Sequence, residues 1–274
     1  MKVIQAKSAG FCYGVQRAVE LAEQTARERG GCVMLGSIIH NAHVVQHLEQ
    51  LGAHQVAGPE EIRPGDTVLI RAHGEKKQVI GHLKDIGAEC VDATCPNVLR
   101  VQQIVAQADA EGRVPIIIGD PNHPEVMGVA SWSARSVVFE GAETLQRWLD
   151  EDPARRELPL TAVAQTTCIR IIWDGAAEIL KKQCTNAKIF DTICNATHKR
   201  QSEAAELASQ VDVMVVVGDR KSANTKHLTE ICSRQCPAVY QIERAEELKR
   251  DFLTGCSVAG LTAGASTPAG IIKE

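Results

Sequence analysis

Three of the chain's ten cysteines occupy one repeated address. Cys12, Cys95 and Cys194 each stand just before a helix-patterned stretch that is followed by a strand. In each case a glycine comes 24 positions later, at Gly36, Gly119 and Gly218. The segments Asp92-Ala-Thr-Cys95 and Asp191-Thr-Ile-Cys194 also resemble each other directly, whereas the other seven cysteines do not recur in this way. At a strand-to-helix turn the exposed N–H groups favour a thiolate, and threefold symmetry would carry three of them to one point. Three equivalent sulfur ligands suit zinc with an open position, or a [4Fe–4S] cluster with one iron left without a protein ligand. Spacing does not choose between the two. A single cysteine of this kind is as readily a buried structural residue, and the triple coincidence is what argues for a metal centre.

The chain after each glycine is polar. A polar side chain lies four residues on in every repeat: His40, His123 and Ser222, with Asn224 two residues beyond the last. A second polar turn follows 37, 47 and 48 residues after the glycines, carrying His73, Thr166 with Thr167, and Ser266. His40, His73, His123, Ser222, Asn224 and Ser266 are hydrogen-bonding groups expected at helix N-termini. That donor set suits phosphate oxygens although no Walker or Rossmann glycine motif is present, so a phosphorylated substrate is expected. Glu125, two residues after His123 and next to Pro124, is the candidate general acid, its pKa raised by burial; the alternative is a solvated first-turn carboxylate. Thr166 and Thr167 would relay a proton or fix a substrate hydroxyl, where a Thr pair after a strand otherwise caps a helix. Asp120 and Asp219 read as turn or cap residues, and His43 and His47 as an ordinary helix face.

These residues must be positioned by alternating strands and helices. Thr67–Ile70, Pro115–Ile118, Ala162–Ala164, Val213–Val217 and Ser257–Leu261 read as buried strands, and Val15–Arg29, Val98–Ala110 and Gln201–Gln210 as crossover helices. The expected fold is α/β, with three similar lobes in a pseudo-threefold trefoil around the metal centre: residues 13–95, 96–193 and 194–274. Strands at Cys90–Val91 and Lys188–Phe190 lead into Cys95 and Cys194. By the same logic Val3–Ala6 leads into Cys12, so residues 1–12 should complete the third lobe.

Of 274 residues, 44% are hydrophobic and 23% charged, but only four Phe, three Trp and two Tyr are present. The core must therefore be built from Val, Ile, Leu and Ala, as parallel α/β layers are. A formal net charge of −4 offers no electrostatic case for binding nucleic acid or a membrane surface. No run of 18 apolar residues occurs, and Met1 to Phe11 lacks the apolar core of a signal peptide, so a cytoplasmic protein is expected.

Eight segments in order carry a family resemblance: Ala9-Gly-Phe-Cys12-Tyr-Gly-Val-Gln-Arg-Ala, Ile39-His40-Asn41, Arg71-Ala-His73-Gly, Asp92-Ala-Thr-Cys95-Pro, His123-Pro-Glu125-Val-Met-Gly, Gln165-Thr-Thr167, Cys194-Asn-Ala-Thr197-His-Lys-Arg200-Gln201 and Gly264-Ala-Ser266-Thr-Pro268. Together they resemble the 4-hydroxy-3-methylbut-2-enyl diphosphate reductase family of the methylerythritol phosphate route to isoprenoids. The resemblance implies a [4Fe–4S] cluster on Cys12, Cys95 and Cys194, with one iron free to meet the substrate hydroxyl. It implies a diphosphate held by His40, His73, His123, Ser222, Asn224 and Ser266, a substrate hydroxyl met by Thr166 and Glu125, and Thr167 beside them. Electrons would come from a flavodoxin or ferredoxin, and the products would be isopentenyl and dimethylallyl diphosphate. The chain departs from the family pattern at Ala223, where a serine is usual, and at Glu75, Asn97 and Cys168. Those departures keep open a related allylic substrate, or a non-catalytic metal-binding sensor.

Overall fold

The computed structural model describes residues 1–274. In chain order the first third contains β1 (Lys2–Gln5), α1 (Tyr13–Arg29), β2 (Cys32–Leu35), α2 (Ala42–Gln50), β3 (Ala53–Val56), β4 (Thr67–Ile70), α3 (Lys77–Asp85) and β5 (Glu89–Asp92). The second third contains α4 (Pro96–Ala110), β6 (Val114–Ile118), α5 (Pro124–Ala130), β7 (Val137–Phe139), α6 (Ala142–Glu151), β8 (Leu160–Ala164), α7 (Arg170–Gln183) and β9 (Ala187–Phe190). The last contains α8 (Asn195–Ala208), β10 (Val213–Val217), α9 (Ala223–Ser233), β11 (Val239–Ile242), β12 (Val258–Ala263) and α10 (Ala269–Lys273).

The strands form three separate four-stranded sheets with the orders β5-β4-β2-β3, β9-β8-β6-β7 and β1-β12-β10-β11. Every pairing is parallel. The same topology thus occurs three times. Parallel sheets need helical cover on both faces, and the strands show why they receive it. In β2, Cys32 and Met34 pack with Ala18, Ala22 and Leu48 of α1 and α2, while Val33 and Leu35 face Leu83 of α3 on the other side. Period-two alternation of apolar side chains places one core on each face of the sheet. The second and third sheets are likewise sandwiched between two apolar clusters.

The helices differ from the sequence-based bounds in one instructive way. Each of the three crossover helices begins on the residue after its cysteine, at Tyr13, Pro96 and Asn195, earlier than the apolar spacing suggests. In α8 the difference is more than a turn. The turn 195–200 has no apolar stripe because it buries polar groups instead, Thr197 and Arg200 among them. The outer edge strands β3, β7 and β11 are also additional to the expected set; they are short and mixed in character, and only pairing with an inner neighbour defines them.

The first strand, mostly exposed, is the edge of the third sheet, with Lys2 aligned on Val258 and Gln5 on Leu261. The chain beyond it is fastened to α8: the N–H groups of Lys7 and Ser8 donate to the Glu203 carboxylate at 2.6 and 2.8 Å. Arg200 donates to the carbonyls of Ser8 (3.0 Å) and Gly10 (2.7 Å). These bonds carry the chain to Cys12. Because all strands are parallel within their sheets, their carboxyl ends form one edge of each lobe, where ligands of such sheets bind. No helix is long and apolar enough to cross a membrane.

Candidate active site

Nine loops from the carboxyl edges, three per repeat, line one cavity. Cys12, Cys95 and Cys194 line it and are all free thiols at the N-caps of α1, α4 and α8. Each is held in the same way. The cysteine N–H donates to a carbonyl at the end of the neighbouring strand: Cys12 to Ala265 (3.3 Å), Cys95 to Ala72 (2.9 Å) and Cys194 to Thr166 (3.0 Å). The repeat glycines let the loops close on each other. A Cβ at Gly119 would lie 2.7 Å from the Gln165 Cβ, and one at Gly218 would lie 2.8 Å from Thr267 Oγ1.

The thiols face different surroundings. Burial pushes the Cys95 thiol upward, while backbone N–H groups of Asn97 and Val98 oppose the shift by favouring the thiolate. The Asn97 side chain donates from Nδ2 to Cys194 Sγ at 3.2 Å. Arg200, only 3% exposed, is bound to carbonyls and presents its charge to Cys12 and Cys194. The lining contains three sulfurs but no fourth cysteine, and its three histidines form a group of their own. A set of three soft thiolates with N–H donors aimed at the sulfurs suits an iron–sulfur cluster in composition and surroundings.

Glu125 enters from the first turn of α5 and is 2% exposed. Burial raises its pKa to about 7, against two hydrogen bonds from Thr166 that lower it. The Thr166 N–H donates to Oε1 at 2.6 Å and its hydroxyl to Oε2 at 2.8 Å. A backbone N–H can only donate, so Oε1 must accept. A hydroxyl can do either, so a proton on Oε2 is compatible with Thr166 Oγ1 and the hydroxyl can pass it on. Near neutral pH this carboxyl is poised to give up a proton.

His40, His73 and His123 form a second group, with ring centroids 4.6, 5.4 and 6.0 Å apart. Burial lowers all three pKa values: that of His123 to about 4 and that of His73 well below its ordinary value, with the neighbouring imidazoles adding to the effect in both. They are neutral at pH 7 in the free site. His123 caps α5, its Nδ1 accepting from the Glu125 N–H at 3.1 Å, which leaves the proton on Nε2. Ser222 caps α9. His40 Nε2, His73 Nδ1, Thr167 Oγ1, Asn224 Nδ2 and Ser266 Oγ are buried without a partner in the protein, and all belong to residues that line the cavity. Buried polar atoms are costly when unpaired, and this many around one space describe a binding surface for a ligand rich in oxygen.

Several sequence expectations are refined. His40 precedes the cap of α2, whose Asn41 accepts from the Val44 N–H (3.1 Å). Asp120 and Asp219 accept from the N–H two residues on, as turn residues do. His47 lies outside the cavity, 3.3 Å from Glu23 on the helix surface. Two departures from the family pattern do not line the cavity. Cys168 packs beside Trp173 in the core of the second lobe, its thiol held at about 12 by burial, and it does not line the cavity. Glu75 is buried in an ion pair with Arg71 at 2.8 Å. Ala223 and Asn97 do line the cavity.

Sequence reasoning assigned no role to Asn97, Arg200 or His227. His227 of α9 holds the Thr167 carbonyl through Nδ1 at 2.6 Å, tying the second lobe's turn to the third. Asn97 stands out in the sequence only as a departure from the family pattern and by its place two residues after a repeat cysteine, and nothing in the sequence marks His227.

The sequence model of the LytB protein family matches residues 3–274. The 4-hydroxy-3-methylbut-2-enyl diphosphate reductase of Caldanaerobacter subterraneus subsp. tengcongensis is 39% identical over 279 residues, covering 100% of this chain and 95% of that protein. The protein of the same name from a Nitratiruptor species is 38% identical over 275 residues, covering 100% and 96%. Among solved structures, (E)-4-hydroxy-3-methyl-but-2-enyl diphosphate reductase, the terminal enzyme of the non-mevalonate pathway, is similar at a TM-score of 0.70 and 38% identity, over 100% of this chain and 97% of that one. The E-1-hydroxy-2-methyl-but-2-enyl-4-diphosphate reductase from Plasmodium falciparum reaches a TM-score of 0.93 at 26% identity, over 99% and 86%.

Proposed function

The chain belongs to the LytB protein family, and we propose on that premise that Cys12, Cys95 and Cys194 hold a [4Fe–4S] cluster and Glu125 supplies a proton to the substrate hydroxyl. The protein is an oxidoreductase, a 4-hydroxy-3-methylbut-2-enyl diphosphate reductase acting at the end of the non-mevalonate pathway. Per turnover, two electrons and two protons are consumed, the allylic hydroxyl leaves as water, and isopentenyl or dimethylallyl diphosphate is formed. The cluster, when bound, supplies electrons and a Lewis-acidic iron that lacks a protein ligand.

The protein's own groups do the rest. His40, His73, His123, Ser222, Asn224 and Ser266 grip the diphosphate, anchoring the substrate by its unreactive end and fixing the position of the hydroxyl at the other. Glu125 holds a proton on Oε2 and Thr166 Oγ1 passes it toward that hydroxyl; Thr167 adds a second hydroxyl beside it. Enclosure by nine loops keeps bulk water from the reacting carbon. A flavodoxin or ferredoxin would bring the electrons.

The observation that carries this assignment is the shared cavity: three free thiols, one buried carboxyl raised to about 7 and a ring of unpartnered polar atoms open onto the same space. The test is anaerobic purification followed by incubation with 4-hydroxy-3-methylbut-2-enyl diphosphate and a chemical reductant, with product analysis. Brown protein holding about four irons that yields the two diphosphates is expected. Colourless protein with one zinc per chain would reject the cluster, and a brown protein inert to this diphosphate would reject the substrate.

A further inference from the structure

The residue two positions after each repeat cysteine differs: Gly14, Asn97 and Ala196. All three line the cavity. The address itself faces a neighbouring sulfur, since a Cβ at Gly14 would lie 2.5 Å from Cys95 Sγ. At the equivalent place on α4, Asn97 reaches the sulfur of the next lobe, its Nδ2 standing 3.2 Å from Cys194 Sγ. Its backbone N–H is also turned to Cys95 Sγ. Of the three side chains at this address, only that of Asn97 has an N–H to give.

We propose that Asn97 raises the reduction potential of the cluster by donating a hydrogen bond to the Cys194 thiolate, making the three thiolates electronically unequal. This rests on the cluster assignment made above. Reduction adds one electron to the cluster from a low-potential one-electron donor such as dithionite, with no proton transferred, and part of the added charge falls on the sulfurs. An N–H donor stabilises the more negative sulfur better than the less negative one, so the bond strengthens on reduction and favours the reduced state. The amide has no pKa in the working range, so the effect does not vary with pH. Arg200 also presents charge to Cys194, but it is held by the Ser8, Gly10 and Ala196 carbonyls and makes no hydrogen bond to Asn97. Asn97 acts here as a tuning residue: the bond reaches the metal centre through a ligand.

The test is an EPR-monitored mediator titration of the cluster-loaded protein and of two variants, Asn97→Leu, which keeps the volume and removes the donor, and Asn97→Asp, which keeps the shape and replaces the donor with a charged acceptor. The reduction equilibrium of Asn97→Leu should shift toward the oxidised cluster by roughly three- to tenfold, the upper figure being about 59 mV for one electron. Asn97→Asp should shift at least as far. Iron content and affinity for inorganic pyrophosphate should match the unsubstituted protein in both. Titration curves indistinguishable from the parent would overturn the proposal. So would loss of iron in both variants, which would make Asn97 an assembly residue, or weakened pyrophosphate binding at an unchanged potential, which would make it a substrate contact. A parent protein that holds no cluster would instead overturn the assignment beneath it.

Discussion

The two groups of polar residues in the cavity are built on opposite plans. At the sulfur group, each repeat contributes the same residue type at the same address, held by the same bond from its N–H to a neighbouring strand-end carbonyl. At the oxygen-binding group the same addresses carry different residues. Four positions after the repeat glycines stand His40, His123 and Ser222; two further on stand Ala42, Glu125 and Asn224. A centre made of like ligands can use threefold symmetry directly. A substrate with a diphosphate at one end and a hydroxyl at the other has no such symmetry, so one acid in one lobe suffices. In the proposed assignment, repetition would supply the metal site, and divergence among the repeats would supply direction.

The contrast predicts unequal costs for substitution. Removing a member of the symmetric set should be the most damaging: Cys95→Ala is expected to lose the cluster and all turnover, measured as iron content and product formation, and partial activity with a full iron complement would break the comparison. Next comes the single asymmetric acid. Glu125→Gln should keep the cluster and bind the substrate while kcat falls by roughly 10²–10⁴, the range for losing a general acid. Because burial raises its pKa to about 7 in the free site, Glu125 is protonated below that value, and kcat/KM of the parent should show a limb that declines as pH rises through about 7. Glu125→Gln should lack that limb.

Smaller effects belong to the redundant oxygen-binding side chains. His40 and His73 are neutral in the free site and a diphosphate beside them would favour their charged forms, so binding should take up protons, whereas His123 keeps Nδ1 unprotonated to cap α5. Affinity for inorganic pyrophosphate should then weaken with rising pH by about one decade per unit for each proton taken up. Calorimetry in two buffers of different ionisation heat reads that number directly, and zero uptake would mean the histidines bind as neutral donors. The smallest expected change is a gain. Ala223→Ser restores a hydroxyl at the N-terminus of α9 and should lower KM about fivefold, the effect of one hydrogen bond near 1 kcal/mol.

Much of this site is visible in the sequence because it recurs. The glycine 24 residues after each cysteine marks a strand–turn–helix unit whose geometry is local, so the addresses of Cys12, Cys95, Cys194, His40, His123 and Ser222 follow from the pattern. The first turn of α8 is less visible: Thr197 and Arg200 are buried but polar, and hydrophobic periodicity is blind to them. Cys168 shows the reverse. As a departure from the family pattern beside Thr167 it raises a question about the shape of the pocket, but its side chain packs in the core beside Trp173.

The amino-acid sequence by itself determined the α/β class, the threefold repetition and the set of side chains able to do chemistry, because each depends on spacing within a unit of some thirty residues or on residue type alone. Only the tertiary structure decided that Glu125 is buried and poised near neutrality, that burial keeps the three imidazoles neutral, and that Asn97 reaches the sulfur of Cys194, 97 positions along the chain. Protonation and partnership depend on which groups from other lobes exclude water or stand within hydrogen-bonding distance. The folded arrangement of the lobes sets both.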